Sequence, residues 1–174
     1  MGCLTIGYMS KPTTKYLPIA QENDSIYASN VPTVVIDTNV FVAALLSEGG
    51  ASRQVLRLAL SRRIQPVFGN SLWFEYEDLL SRDVWGCETK PDQRNEVLAA
   101  LASVSRWVRL SFIWRPNLPD EDDNHLIELA VAGGAMAIIT HNLRDVGAGE
   151  LKFDDLLVMT PAAFLARFFK ETKH

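Results

Sequence analysis

Val34-Val35-Ile36 is apolar at every position, and Asp37-Thr38-Asn39 closes it at once before a stretch of helical character. Side chains of a strand alternate between the two faces of its sheet, so a strand with no polar face belongs to a sheet covered on both sides. Ile138-Ile139, closed by Thr140-His141-Asn142, repeats the pattern later in the chain. Strands of this kind, separated by helical segments, specify a parallel sheet with crossover helices. Ligands of such sheets gather outside the carboxyl ends of the strands, where strand order reverses. Asp37 stands at such an end. Its side chain also suits a helix N-cap, because the carboxylate accepts a bond from a free N–H of the first turn. The strand end alone leaves both roles open.

Periodicity and turn residues place the remaining elements. Strands are expected at Thr33–Ile36, Gln65–Phe68, Arg106–Leu110, Ala137–Thr140 and Leu157–Met159. Helices are expected near Asn39–Leu46, Ala51–Arg62, Ser71–Ser81, Asp92–Val104 and Asp122–Ala132. A last helix starts at Thr160-Pro161, a good N-cap followed by a good first residue. Gly49-Gly50 and Gly133-Gly134 are the breaks between units. Residues 1–31 sustain neither period and carry Lys11-Pro12, Leu17-Pro18 and polar clusters. They are expected to form a flexible N-terminal extension before a domain at 32–174.

A chain of 174 residues, 48% of them hydrophobic, suits one such domain with a real core. No apolar stretch approaches the roughly 20 residues that span a bilayer, and no basic start precedes an apolar block. The expectation is a cytoplasmic protein with no membrane partner. Cys3 and Cys87 have neither CxxC nor Cys/His spacing, which argues against a zinc site or a disulfide framework. A net charge of −4 argues against binding nucleic acid through a broad basic surface. It leaves room for a nuclease, since metal ions held by acids supply positive charge where a phosphate sits. Arginines outnumber lysines by 11 to 6, which suits bidentate phosphate contacts. Arg53 and Arg57, one helical turn apart, are candidates, with a solvated helix face as the plainer alternative.

Three further polar groups accompany Asp37. On a helical wheel, Leu72, Tyr76, Leu79 and Leu80 form one apolar stripe with Glu75 at its edge, while Glu77 and Asp78 point away and Phe74 lies opposite. A carboxylate at a core margin needs a salt bridge, a hydrogen bond or a metal. Asp120-Glu121-Asp122-Asp123 precedes a helix bearing Leu126, Ile127 and Ala130. The helix dipole and capping account for one or two acids there, and a divalent cation would offset the repulsion among four. A solvated acidic turn is the alternative. Thr140 and Asn142 add hydrogen-bonding groups without charge. Oxygen donors without His or Cys suit Mg²⁺ or Mn²⁺, and metal-assisted phosphodiester hydrolysis is the chemistry they support.

The chain resembles the PIN-domain family of metal-dependent ribonucleases, and in particular the VapC-like toxin components of bacterial toxin–antitoxin systems. The resemblance runs from Val31 to Arg167 through VVIDTNVFVAALLSEGG, LWFEYEDLLSR, LPDEDDNHLIELAVAGGAMAIITHNLRD and VMTPAAFL, in family order. It implies a three-layer α/β/α fold with a central, mostly parallel five-stranded sheet. It implies Asp37, Glu75 and Asp123 as catalytic, metal-binding acids, with Asp122 as the register alternative. Asn39, Thr140 and Asn142 would contact substrate or water. Many members carry an aspartate where this chain has Asn142, which bears on whether one or two Mg²⁺ or Mn²⁺ ions bind. An RNA substrate, 5′-phosphate and 3′-hydroxyl products, a cognate antitoxin and a homodimer are likewise implied. Two other classes compete. One is a weakly catalytic domain that binds RNA or a partner protein. The other is an aspartate-nucleophile phosphatase, which typically needs a second aspartate where Asn39 stands.

Overall fold

Five strands form the sheet: β1 (Thr33–Ile36), β2 (Gln65–Phe68), β3 (Arg106–Trp107), β4 (Ala137–Ile139) and β5 (Leu157–Met159). In this computed structural model, which describes residues 31–82, 85, 89–110, 124–147 and 155–169, their order is β3-β2-β1-β4-β5. Every adjacent pair is parallel. The chain steps outward from β1 to β2 and β3, then returns to lay β4 on the other side of β1. The reversal of strand order falls between β1 and β4, so their carboxyl ends flank the crevice where such sheets bind ligands.

Val34, Val35 and Ile36 are all buried, as are Ala137, Ile138 and Ile139. Consecutive strand residues point to opposite faces, so helices cover both sides of the sheet and the fold has three layers, α/β/α. The helices are α1 (Thr38–Leu46), α2 (Ala51–Leu60), α3 (Asn70–Ser81), α4 (Pro91–Val104), α5 (Asn124–Ala132), α6 (Leu143–Gly147) and α7 (Pro161–Phe168). Helix α2 packs on α1, α4 and α7, whereas α5 packs on β1, β2, β4 and α6. Phe41, Val55, Leu72, Leu126, Leu129 and Phe164 fill the interfaces with almost no exposure. Each contributes about 1.5–3 kcal/mol of burial relative to an exposed side chain.

The end of α5 shows why a double glycine is needed. A Cβ on Gly133 would stand 2.7 Å from Val67 Cγ1 and 2.9 Å from the Leu129 carbonyl oxygen, so α5 closes on β2 only with glycine there. Gly134 then turns the chain at φ +55°, the left-handed conformation that ends many helices.

Apart from shifts of one or two residues at the ends of α2, α3, α4 and β4, the described elements fall where periodicity put them, and three differences are instructive. Only the first two residues of the expected strand Arg106–Leu110 join the sheet, both exposed at its edge. Helix α1 begins one residue early, at Thr38, because Asp37 caps it. Helix α6 was not anticipated: five residues are too few to establish a helical period. The N-terminal extension and the start of the expected helix at Asp122 lie outside the described residues. Among the described residues, no helix is long and apolar enough to cross a membrane.

Candidate active site

Sheet register brings the first polar groups together. Ile36 pairs with Ile139, and the Asp37 amide continues the ladder by donating to the Ile139 carbonyl at 3.0 Å. Asp37 and Thr140 thus leave adjacent strands side by side. Both are buried, Asp37 at 6% exposure and Thr140 at 0%. The two Asp37 oxygens divide the roles that were alternatives in the sequence. Oδ1 accepts from the Asn39 amide at 3.3 Å and so caps α1. Oδ2 accepts from Thr140 Oγ1 at 2.5 Å and from Asn39 Nδ2 at 2.7 Å.

Asn39 secures the other side of this cluster. Its Nδ2 also reaches Thr140 Oγ1 at 3.2 Å, and its Oδ1 accepts from the His141 backbone amide at 3.1 Å. Thr140 Oγ1 accepts from the Asn142 amide at 2.9 Å. Asn142 therefore enters the cluster through its backbone. Ser52 Oγ lies 2.8 Å from His141 Nε2 and ties α2 to the same loop.

Glu75 arrives from α3, and the residue after it sets its position. Tyr76 is fully buried, its ring edge-on to Phe41 and Phe68 at centroid distances of 5.0 and 5.2 Å. Its hydroxyl donates to the Ile36 carbonyl at 2.9 Å, fastening α3 to the last residue of β1. Burial pushes the Tyr76 phenol well above its ordinary pKa, and the charges of Asp37 and Glu75 add to the effect. It stays protonated and remains a donor.

So anchored, α3 presents Glu75 to the start of α1. Thr38 Oγ1 donates to Glu75 Oε1 at 2.7 Å and lies 3.3 Å from Asp37 Oδ1. One hydroxyl touches both acids. Glu75 Oε2 faces His125 Nε2 of α5 at 3.0 Å. Burial raises the Glu75 pKa, but hydrogen bonds from His125 and Thr38, helped by the His125 charge, outweigh it and hold the carboxyl below its ordinary value. Glu77 and Asp78 point to solvent, as their places on the wheel require, and Asp78 pairs with Arg82 on the surface.

Of the residues singled out by sequence, Asp37, Asn39, Glu75, Thr140 and Asn142 thus converge on the crevice. Asp122 and Asp123 lie outside the described residues. Thr38 and His125 were not anticipated. Thr38 reads as an ordinary polar residue between strand and helix, and a single His on an amphipathic helix carries no signal of its own. Among the described residues, no three His, Cys, Asp or Glu side chains form a metal-holding group. Asp37 and Glu75 provide the oxygen chemistry that Mg²⁺ and Mn²⁺ prefer, and a further acid would have to complete the set.

Comparison with known proteins covers the same span. The PIN domain matches residues 33–144, which include Asp37, Asn39, Glu75, Asp122, Asp123, Thr140 and Asn142. An uncharacterized protein of Methanocaldococcus jannaschii is 32% identical over 152 residues, covering 79% of this chain and 92% of that relative. A looser likeness, TM-score 0.48 at 14% identity, is to the crystal structure of VapBC2 from Rickettsia felis bound to a DNA fragment from their promoter. It covers 72% of this chain and 96% of the other. On the match over residues 33–144 and the relative aligned along most of both lengths, the chain belongs to the PIN-domain family.

Proposed function

We propose that this PIN-domain protein is a Mg²⁺- or Mn²⁺-dependent endoribonuclease that acts as the toxin of a toxin–antitoxin pair. The observation that carries it is the Thr38 hydroxyl, which links a buried strand-end aspartate to a glutamate from the neighbouring helix at the reversal of strand order. Asp37 and Glu75 would hold the ion together with Asp123, or Asp122 in the alternative register. A divalent ion held there would polarise the scissile phosphate and lower the pKa of an attacking water. Thr140 and Asn39 keep Asp37 Oδ2 in place, and Thr38 orients Glu75. Asn39 and Asn142 would contact substrate or water, while Thr140, with no exposed surface, would act through Asp37. A single-stranded or looped RNA is the expected substrate.

A weakly catalytic RNA- or protein-binding module is the second reading, favoured by one observation: both Glu75 oxygens already have protein partners, Thr38 and His125. Incubation of purified protein with end-labelled RNA and Mn²⁺ separates the two. The nuclease reading expects cleavage that chelation abolishes and that Asp37→Asn and Asp123→Asn remove; cleavage unaffected by both substitutions contradicts it. A cognate antitoxin is expected among neighbouring gene products, and co-purification with relief of growth arrest tests it. Homodimerisation is tested by light scattering, and a strict monomer at high concentration would oppose it.

A further inference from the structure

Helix α4 carries a buried charge that the acid cluster does not use. Arg94 is only 8% exposed, yet among the described residues its guanidinium makes no ion pair and its Nε has no hydrogen-bond partner. The Trp85 ring lies over the guanidinium at 4.9 Å and covers one face of it. A stacked ring satisfies the cation's face and leaves the Nε–H without an acceptor, a costly state for a buried donor. Thr89 Oγ1, just before the helix, is likewise buried and unpartnered.

Both groups line one surface pocket of about 730 Å³ between the end of α1, the start of α2 and the start of α4. Arg53 lines the same pocket, its Nη1 bound to the Ala44 carbonyl at 3.3 Å. Gln93 stands on the wall, its Oε1 turned back to the Lys90 amide at 3.4 Å. Because α1 runs away from Asp37, the pocket sits at the far end of that helix from the acid cluster, about 13 Å along its axis.

We propose that this pocket is a phosphate-binding site, with Arg94 and Thr89 as its donors and Arg53 as a second cation at its rim. A phosphate oxyanion entering the pocket would supply the acceptors that the buried Arg94 Nε and Thr89 Oγ1 lack once their side chains turn toward it, and the first turn of α4 adds the positive end of its dipole. Glu48 and Glu96 also line the pocket and balance the two arginine charges, so the site rests on hydrogen bonds to Arg94 and Thr89 rather than on net charge. The phosphate comes either from an RNA strand whose neighbouring segment reaches the acid cluster or from free phosphate.

Calorimetric titration of the full chain in chelator, with inorganic phosphate and separately with a short RNA oligonucleotide, tests the site without requiring cleavage. Arg94→Gln is expected to weaken phosphate binding about tenfold or more, and Thr89→Val and Arg53→Gln about threefold each. If the phosphate belongs to RNA, the same substitutions weaken oligonucleotide binding and inorganic phosphate competes with it. If it is free phosphate, oligonucleotide binding stays unchanged while phosphate binding falls. Asp37→Asn leaves phosphate binding intact, which separates failure of this site from failure of the nuclease reading. Should Arg94→Gln fail to fold, Thr89→Val and Arg53→Gln decide alone. No phosphate binding by the wild type, or binding equal in wild type and the folded variants, overturns the proposal.

Discussion

The two acids of the crevice are held in different ways. Asp37 leaves the centre of the sheet, and its oxygens are fixed by groups from α1 and from the far side of the crevice. Its position follows from the register of β1 and β4, in which Ile36 pairs with Ile139 and so sets Asp37 beside Thr140. Glu75 rides on a helix, 40% exposed, and is steered by two side chains from two other helices. Sheet register makes a rigid anchor, whereas helix placement makes an adjustable second arm. Asp37, as the sheet places it, and Glu75, as Thr38 and His125 orient it, would hold an ion between them.

Removing the anchor gives the largest expected effect. Asp37→Asn keeps the shape of the side chain and loses its charge, and Mn²⁺-dependent RNA cleavage is expected to fall by on the order of a hundredfold or more in single-turnover assays. A variant as active as wild type would break the comparison at its rigid end.

The link between the two acids comes next. Thr38→Val removes the hydroxyl that touches both carboxylates, and about tenfold less activity is expected, with Thr38→Ser restoring most of it. Equal activity in the valine and serine variants would mean that Glu75 needs no steering. Behind that link, Tyr76→Phe deletes the bond to the Ile36 carbonyl and leaves a buried acceptor unmet. Urea unfolding should report a loss of about 1–2 kcal/mol, and an unchanged midpoint would mean that α3 is held by ring packing alone.

The smallest effect concerns the exposed arm and pH. The folded Glu75 carboxyl titrates below its unfolded value of 4.5, so its stabilisation is present above that pH and is lost as pH falls through the lower folded value. With this much exposure the contribution is only a few tenths of a kcal/mol. In metal-free protein, Thr38→Val should flatten the acid limb of the stability curve slightly, and an identical limb would show that Thr38 does not shift the carboxyl.

The same contrast explains what the sequence made legible. Strand ends are punctuated by composition: three apolar residues and then Asp37, or two and then Thr140, announce both the sheet and the crevice. Glu75 was legible as a margin residue because Tyr76 fixes the buried stripe beside it. Contacts that depend on how helices cross were not legible. Thr38 and His125 meet Glu75 through the packing of α1, α3 and α5, which no local period encodes. Arg94 reads as a charge near a helix start, and only the packing of Trp85 over it reveals a desolvated cation. The expected strand Arg106–Leu110 shortens to two residues because β2 itself ends at Phe68, opposite Trp107, and leaves the following residues no strand to pair with.

Asp37 and Glu75 are proposed as two ligands of one ion. Anomalous scattering from crystals soaked in Mn²⁺ tests it directly. The prediction is a peak within coordination distance of Asp37 and Glu75, with an aspartate from Asp122 or Asp123 completing the site. A peak elsewhere, or none in the crevice at saturating Mn²⁺, would contradict it.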